Sequence, residues 1–289
     1  MNIEAIKVMI PSASLLAHHA PKVSIGMPVY NGGLFLRDAL DSLLAQTFTD
    51  FELIISDNAS TDNTGQICLE YARLDSRIRY IRLPRNIGAP DNFFYVRDQA
   101  VGEYFMWAAH DDRWKSNCLA LWVNVLDSDI SVGLVFSAVE LLDYSTSCSY
   151  SYTTGFIASR HKFLRVLYRV SNGCSALIYG LHRTSLIRAV GNQKFDLFDV
   201  YLALWYELNS SIRVVPLPLF VSGVNGLRLP YSLTGDKISD RAYLLHSFKL
   251  FRSTFPFFVA ILLFVFLWAQ SAFATRGLNR VRSSRLRFN

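Results

Sequence analysis

Apolar and polar positions alternate in blocks along the first 115 residues, and these blocks predict strands and helices in turn. Short apolar runs rich in β-branched residues predict four strands, at residues 22–27, 51–56, 78–83 and 104–108. Between them, apolar residues recur at a helical spacing, which predicts helices at residues 34–46, 61–74 and 91–100. Strands that alternate with helices indicate an α/β fold with a parallel sheet and right-handed crossovers.

The pattern weakens after residue 114. It predicts helices at 119–126, 163–170 and 199–208, strands at 132–137, 175–183 and 213–216, and a mobile loop rich in Ser, Thr and Tyr at 144–154. We divide the chain into a loosely ordered leader at 1–21, one α/β domain at 22–235 and a helical C-terminal segment at 236–289. The leader does not read as an export signal, because Glu4 precedes its apolar part and Pro11 interrupts it.

Polar residues follow three of the predicted strands: residues 28–31, Asp57, and Asp111 with Asp112. Because the ends of these strands meet at one edge of a parallel sheet, we expect their side chains to line one crevice. Adjacent carboxylates repel each other and lose hydration on burial, so stability does not explain the Asp111–Asp112 pair. A divalent cation bound to a diphosphate would relieve both costs. The alternative for the pair is a helix N-cap with an acid in the first turn.

Three motifs occur in order in this part of the chain: VSIGMPVYN at 23–31, ELIISDNASTD at 52–62, and RNIG at 85–88 leading to HDD at 110–112. Together they resemble the motifs of family-2 glycosyltransferases. The likeness is strong over residues 22–115 and looser over 116–230. It implies a GT-A fold for the domain at 22–235, which is Rossmann-like, with a mixed, mostly parallel sheet flanked by helices.

The resemblance implies a nucleoside diphosphate sugar as donor, with a UDP sugar favoured, and a glycan or lipid-linked acceptor. It implies inversion at the anomeric carbon and a role in surface polysaccharide biosynthesis. The implied donor-binding residues are Pro28, Val29, Tyr30, Asn31, Asp57, Asn86, Gly88 and Asp111. Asp112 and Asp111 would bind Mg²⁺ or Mn²⁺, which neutralises charge on the leaving diphosphate.

An inverting transfer needs one general base for the acceptor hydroxyl. In the resembled family an acid opens a helix late in the domain and faces the acceptor. Asp199 begins the better apolar helix, so it is the favoured base, with Asp196 as the alternative. Either residue could instead be a plain helix N-cap.

Two positions depart from the family pattern. The usual metal motif has an acid two residues before the first of the paired acids, where this chain has Ala109, and His110 replaces a small or acidic residue. These departures leave open an alternative function: a catalytically inactive, membrane-bound homologue that binds nucleotide sugars or acts as a scaffold. A nicotinamide-dependent dehydrogenase is disfavoured, because the turn at 30–35 lacks the GxGxxG spacing.

The charge and the cysteine content limit the possible partners and the cellular compartment. The net charge is +6, and five arginines (Arg276, Arg280, Arg282, Arg285 and Arg287) lie in the last fourteen residues. The rest of the chain is close to neutral, so no nucleic acid partner is expected. The four cysteines are scattered without a CxxC pair, which fits a reducing compartment and argues against a zinc site.

The C-terminal segment contains an apolar stretch of twenty uncharged residues at 255–274, flanked by basic residues on both sides. This length is enough to cross a bilayer once. An in-plane or re-entrant helix would keep both basic flanks on one side, and a buried helix of a soluble oligomer is a third option. We expect membrane contact through residues 250–289. Sugar nucleotides are cytosolic, so we expect the protein at the cytoplasmic face of the membrane, as a peripheral, re-entrant or single-pass protein.

Overall fold

Strands and helices alternate from residue 23 to residue 107, as the hydrophobic pattern predicts. The computed structural model describes residues 20–143, 149–152, 161–172, 175–192, 198–224 and 241–256, together with 260, 261 and 263–265. The strands are β1 Val23–Val29, β2 Phe51–Asp57, β3 Ile78–Arg82, β4 Tyr104–Trp107, β5 Arg113–Trp114, β6 Val132–Asp143, β7 Ser149–Tyr152, β8 Leu181–Arg183 and β9 Ser211–Val224. The helices are α1 Leu36–Leu44, α2 Thr64–Leu74, α3 Ala89–Gln99, α4 Cys118–Ser128, α5 Lys162–Asn172, α6 Thr184–Ala189, α7 Phe198–Asn209 and α8 Arg241–Thr254, and a 3₁₀ helix covers Ser175–Tyr179.

The N-terminal half of the sheet is parallel, in the spatial order β3-β2-β1-β4. Met27 pairs with Ile55 across β1 and β2, and Gly26 pairs with Trp107 across β1 and β4. Every residue of β1 and β4 is buried, as expected for strands covered by helices on both faces. The carboxyl ends of β1, β2 and β4 therefore lie side by side at one edge.

The remaining strands make the sheet mixed. β8 pairs antiparallel with β4 and β6, β9 runs parallel to β6 and antiparallel to β5, and β7 pairs antiparallel with β6. The structure confirms an α/β fold with a mixed sheet flanked by helices. The N-terminal half is parallel throughout, whereas the C-terminal half combines the parallel β6–β9 pair with the antiparallel pairs of β5, β7 and β8.

Four sequence predictions after residue 114 are wrong in part. The predicted loop at 144–154 contains β7, whose Tyr150 and Tyr152 suit a strand and pair with β6. The predicted strand at 175–183 begins as the 3₁₀ helix, and only its last three residues join the sheet. The strands predicted at 132–137 and 213–216 are much longer, since β6 and β9 support each other over most of their length.

A buried ionic cluster joins α5 to α7. The Arg169 side chain donates to Glu207 Oε1 from Nε and Nη2, at 3.2 and 2.9 Å, and both residues are buried. Arg165 lies 3.3 Å from the other carboxylate oxygen and donates to the Glu207 carbonyl at 2.6 Å. Because removing one member of such a cluster leaves a buried charge uncompensated, it ties the two helices together firmly.

Several predicted segments lie largely outside the described residues: the leader except for residues 20 and 21, the end of the α/β domain at 225–235, and most of the apolar stretch at 255–274. What is described of the C-terminal segment packs on the domain, since α8 contacts α7 and Phe251 is buried in the common core. Within the described part of the chain, no helix combines the length and apolar character needed to span a membrane.

His182 on β8 is a fully buried histidine in the centre of the sheet. Its Nε2–H donates to the Ile178 carbonyl at 3.0 Å, so Nδ1 accepts from the Tyr206 hydroxyl, also at 3.0 Å. Burial lowers the pKa of His182 to about 4, because the charged imidazolium would be poorly solvated there. The native protein therefore holds a neutral imidazole at this position.

This depressed pKa predicts a pH dependence of stability. In the unfolded chain His182 binds a proton near pH 6.5, whereas in the native chain it binds one only near pH 4. The contribution of His182 to the free energy of unfolding is therefore complete above pH 6.5 and is lost as the pH falls toward 4. We expect the free energy of unfolding, measured with urea, to fall by about 2 kcal/mol between pH 7.5 and pH 5 because of His182. The His182→Gln variant should lack this part of the decrease. Parallel pH profiles for the two proteins would contradict this assignment.

Candidate active site

The turns after β1 and β2 are bound to each other by their own polar groups. The Asn31 N–H donates to Ser60 Oγ at 2.9 Å, and the Thr61 N–H donates to Asn31 Oδ1 at 2.8 Å. Asn31 and Ala59 both have positive φ angles, near 52° and 60°, which turn the chain sharply at the end of each strand. These bonds hold the exposed Tyr30 side chain and the buried Pro28 and Val29 at the crevice edge.

Asn58 fastens a third loop to the same edge. Its Nδ2 donates to Asn86 Oδ1 at 2.9 Å and to the Gly88 carbonyl at 3.3 Å, while its Oδ1 accepts the Ile87 N–H at 2.8 Å. Gly88 has φ near 87°, a conformation that favours glycine and lets α3 begin at the next residue. The loop at 85–88 is thus held beside the end of β2.

Asp57 has structural partners at the end of β2. Its carboxylate is fully buried and accepts the Ser60 N–H at 2.7 Å, the Tyr80 hydroxyl at 2.9 Å and Arg82 Nη1 at 2.8 Å. These contacts tie β3 to the turn after β2. A role for this carboxylate in binding a nucleotide base stays a prediction.

Asp111 and Asp112 lie in the tight turn between β4 and β5. The turn follows Ala108, whose N–H donates to the Gly26 carbonyl at 2.9 Å, so the acids emerge beside the end of β1. The next element is the short strand β5 and not a helix, so the N-cap alternative for this pair is wrong. Asp112 is buried and accepts the Gly223 N–H from β9 at 3.1 Å.

Burial raises the pKa of Asp112 to about 8, and the negative charge of Asp111 acts in the same direction. Hydrogen bonds from Ser222 and Gly223 oppose the shift without cancelling it. A carboxyl group of this kind binds either a proton or a cation at neutral pH. The pair therefore favours positive charge in the crevice.

His110 links the two sides of the crevice. A methyl group added at Gly32 would come within 2.6 Å of His110 Cδ2, so the imidazole packs directly on the turn after β1. His110 is half-buried, which differs from the solvated loop histidine that its sequence context suggests. The two flanking tryptophans pack beneath the site: Trp107 donates to the Phe93 carbonyl at 2.9 Å, and Trp114 packs on Phe220 with ring centroids 5.7 Å apart.

Tyr179 is the residue on which the charges of Asp199 and of the Asp111–Asp112 pair both act. Its ring stacks on Phe220, which pairs with Trp114 two residues after Asp112. Burial raises the pKa of the Tyr179 hydroxyl strongly, and the charges of Asp112, Asp111 and Asp199 raise it further. The charges of all three carboxylates therefore act on this hydroxyl.

Asp199 lies in the first turn of α7, where its Oδ1 accepts the Val200 N–H at 2.8 Å. Burial raises the pKa of its carboxyl group, which makes the carboxylate a stronger base. The ring of Phe198 packs edge-on against Phe94 of α3, with centroids 5.2 Å apart, and this contact anchors the start of α7 near the crevice. Asp196, the alternative base, lies outside the described residues.

Asp111 and Asp112 suit a metal ion that is coordinated partly by the protein and partly by phosphate oxygens. Across the described residues, no three His, Cys, Asp or Glu side chains are arranged to hold a metal by themselves. Mg²⁺ is commonly bound through one or two carboxylates together with substrate phosphates. A buried carboxylate that its neighbour repels suits Mg²⁺ or Mn²⁺ arriving with a diphosphate.

Three participants were not identified from the sequence: Asn58, Tyr179 and the Gly223 N–H. Asn58 lies inside the motif at 52–62, so its position beside Asp57 was an available signal. Tyr179 lies in a segment predicted as a strand, and Gly223 lies beyond the predicted end of β9. Arg183 on β8 donates to the carbonyls of Leu126, Asp129 and Val132, at the end of α4 and the start of β6.

A sheet of this topology with acids at the end of β4 defines a GT-A glycosyltransferase. The sequence profile of glycosyl transferase family 2 matches residues 24–172, and the chain belongs to this family. An uncharacterized glycosyltransferase of Rickettsia typhi is 32% identical over 196 residues, which are 65% of this chain and 59% of the relative. A Bacillus subtilis glycosyltransferase assigned by name to teichuronic acid biosynthesis is 35% identical over 99 residues, 34% of this chain and 39% of the relative. The chain thus spans less than two thirds of these relatives' length.

Two solved structures share the fold at low identity. S. aureus TarS 1–349 in complex with UDP-GlcNAc has a TM-score of 0.63 and 17% identity, covering 86% of this chain and 72% of that one. The mannosyltransferase PcManGT of Pyrobaculum calidifontis, in complex with GDP-Man and Mn²⁺, has a TM-score of 0.57 and 16% identity, covering 94% and 76%. At these identities the likeness establishes the fold.

The Asn58 contacts predict a local effect on the loop at 85–88. We expect Asn58→Ala to lower the free energy of unfolding by about 2 kcal/mol, because it leaves the Ile87 N–H without its acceptor. Loss of the clamp should also speed tryptic cleavage after the exposed Arg85. Asn63→Ala, whose side chain makes no capping bond to α2, is the control. Unchanged cleavage at Arg85 would contradict the proposed clamp.

Proposed function

We propose that the protein is an inverting, divalent-metal-dependent glycosyltransferase. It moves a sugar from a nucleoside diphosphate sugar, with a UDP sugar favoured, to a glycan or lipid-linked acceptor in surface polysaccharide biosynthesis. One observation carries the proposal: Asp111 and Asp112 follow β4 beside the end of β1, and the Asp112 carboxylate is buried there. The UDP-GlcNAc bound to TarS and the GDP-Man and Mn²⁺ bound to PcManGT support a nucleotide-sugar donor and a metal. The named role of the B. subtilis relative supports the polysaccharide assignment.

The donor would lie along the carboxyl ends of β1 and β2. Residues Pro28 to Asn31 form one wall, and the Asn58-bound loop with Asn86 and Gly88 forms the other. Tyr30 is 46% exposed, so its ring is available to pack on a nucleobase. The base and ribose would be held here, with Asp57 beneath them and Asp111 at the ribose side.

Asp112 and Asp111 would hold the divalent ion. The ion would supply Lewis-acid stabilisation of the negative charge on the leaving diphosphate. The Gly223 N–H and the Ser222 hydroxyl keep the Asp112 carboxylate oriented while it is buried. Closing β9 over β5 also keeps water from the back of this carboxylate.

Asp199 would act on the acceptor. Its carboxylate accepts the proton of an acceptor hydroxyl while that oxygen forms a bond to the anomeric carbon. The bond from the anomeric carbon to the diphosphate oxygen breaks in the same step, and its electron pair leaves with the diphosphate. Attack on the face opposite the leaving group inverts the configuration. A raised pKa suits this role, since a stronger base takes the proton more completely.

We also propose that residues 250–289 contact the membrane, so that the domain works at its cytoplasmic face. The apolar stretch at 255–274 and the five arginines that follow it support this placement. A lipid-linked acceptor would then be presented to the crevice from the bilayer surface.

The roles proposed for Asp199 and Asp112 predict different kinetic effects when each residue is replaced. With a panel of sugar nucleotides and Mn²⁺, we expect Asp199→Asn to lower kcat for nucleotide release by about 10²- to 10⁴-fold, because the base is lost. Asp112→Asn should raise the Mn²⁺ concentration for half-maximal turnover by about ten-fold or more. Asp50→Asn is the matched control, since Asp50 is exposed and precedes β2 at the opposite edge.

The same experiment separates activity from an inactive homologue. If the wild-type chain binds sugar nucleotides but turns none of them over, the alternative raised by Ala109 replaces the transferase. Equal turnover in Asp199→Asn and Asp50→Asn would remove Asp199 from the mechanism.

Donor choice is tested by thermal unfolding with nucleotides and Mn²⁺. A ligand at 100 times its Kd stabilises the native state by about 2.7 kcal/mol, so the tighter nucleotide gives the larger rise in Tm. We expect UDP to raise the Tm more than GDP or dTDP. Tyr30→Ala should reduce the UDP shift, whereas Leu34→Ala, which removes an exposed apolar side chain nearby, should not. A larger shift with GDP would refute the UDP preference.

A further inference from the structure

The N-terminal tip of α5 exposes two apolar side chains. Phe163 is 37% exposed and Leu164 is 43% exposed. The opposite face of the helix faces inward, where Arg165, Val166 and Arg169 are buried against the domain. Because the ionic cluster with Glu207 fixes the rotation of α5, Phe163 and Leu164 are held outward.

This tip is joined to α8 by an aromatic contact. The rings of Phe163 and Phe255 meet edge-on with centroids 6.1 Å apart. Exposed basic residues lie next to both rings: Lys162 adjoins Phe163, and Arg252 is one helical turn before Phe255. We name the surface formed by Lys162, Phe163, Leu164, Arg252 and Phe255 the α5–α8 edge.

The two helices that form this edge carry basic side chains and no acidic ones. The sequence from 241 to 289 also has no acid, while it has eight Lys and Arg residues. Exposed Phe and Leu side chains flanked by cations match an anionic bilayer surface, which takes up apolar groups between its headgroups and attracts the cations.

We propose that the α5–α8 edge binds the surface of an anionic lipid bilayer. The inference rests on the membrane contact proposed above and extends it from the C-terminal segment to the glycosyltransferase domain itself. Phe163 and Leu164 enter the headgroup layer while the positive charges of Lys162 and Arg252 attract lipid phosphates. An acidic protein or a nucleic acid would use the cations but leave the two apolar side chains in water, so lipid is the partner that the composition favours.

Vesicle flotation of the full chain tests the proposal. We expect the wild-type chain to bind vesicles of equal parts phosphatidylcholine and phosphatidylglycerol, and to bind them less in high salt. Phe163→Ala with Leu164→Ala should weaken binding by about ten-fold or more, because several buried methylenes are lost. Lys162→Gln should weaken it by about five-fold. The matched controls are Leu74→Ala with Val101→Ala, and Arg73→Gln, which remove exposed apolar area or one charge from the parallel half.

The outcomes are separable from those of the transfer reaction. Vesicle binding that falls in the edge variants but not in the controls, with nucleotide release and Tm unchanged, supports the edge. Equal binding by edge and control variants, no binding by the wild-type chain, or equally tight binding to polyglutamate or single-stranded DNA overturns it. A chain that releases nucleotide yet binds no vesicle would contradict the proposed lipid binding and leave the proposed transferase activity intact. A chain that binds vesicles yet releases no nucleotide would contradict the transferase activity and leave the lipid binding intact.

Discussion

A carboxylate buried next to a second carboxylate is the constraint on which the site depends. Asp112 loses its hydration and faces the charge of Asp111, so its pKa rises to about 8. The protein supplies only partial compensation, through the Gly223 N–H and the Ser222 hydroxyl. The rest must come from a proton or a cation, and this makes the crevice a place where positive charge is stabilised. A diphosphate that arrives with its own divalent ion meets that need and gains an orientation from it.

The two halves of the sheet serve this constraint differently. The parallel half brings three strand ends to one edge, because every crossover returns the chain in the same direction. That edge by itself would leave Asp112 open to water. The C-terminal, mixed half covers it, since β9 pairs with β5 directly after the acids and places Phe220 between Trp114 and Tyr179. The charges of the acids and of Asp199 at the start of α7 all raise the pKa of the Tyr179 hydroxyl.

The parallel half could be predicted from sequence because each of its strands is a buried apolar run, and each run ends in a recognisable polar turn. The acids at 111 and 112 and the family were identified from motifs in this half. What was missed depends on contacts distant in sequence. The bond between Gly223 and Asp112 spans 111 positions and leaves no local period. β6 and β9 are long because they pair with each other. The sequence of β7 is typical of a loop, and its strand structure depends on pairing with β6. His182 resembles a surface histidine until Tyr206 and Ile178 enclose it.

Helix α7 connects the chemistry to the surface of the molecule. Asp199 lies in its first turn and Glu207 near its end, so the two carboxyl groups are separated by about 12 Å along the helix axis. Glu207 is held by Arg165 and Arg169 of α5, the helix whose tip exposes Phe163 and Leu164. The candidate base and the α5–α8 edge are therefore connected through α7 and α5, which the buried ionic cluster joins. A bilayer that bound this edge would contact the helix that packs on the one carrying Asp199. That geometry suits an acceptor whose lipid stays in the membrane while its sugar reaches Asp199.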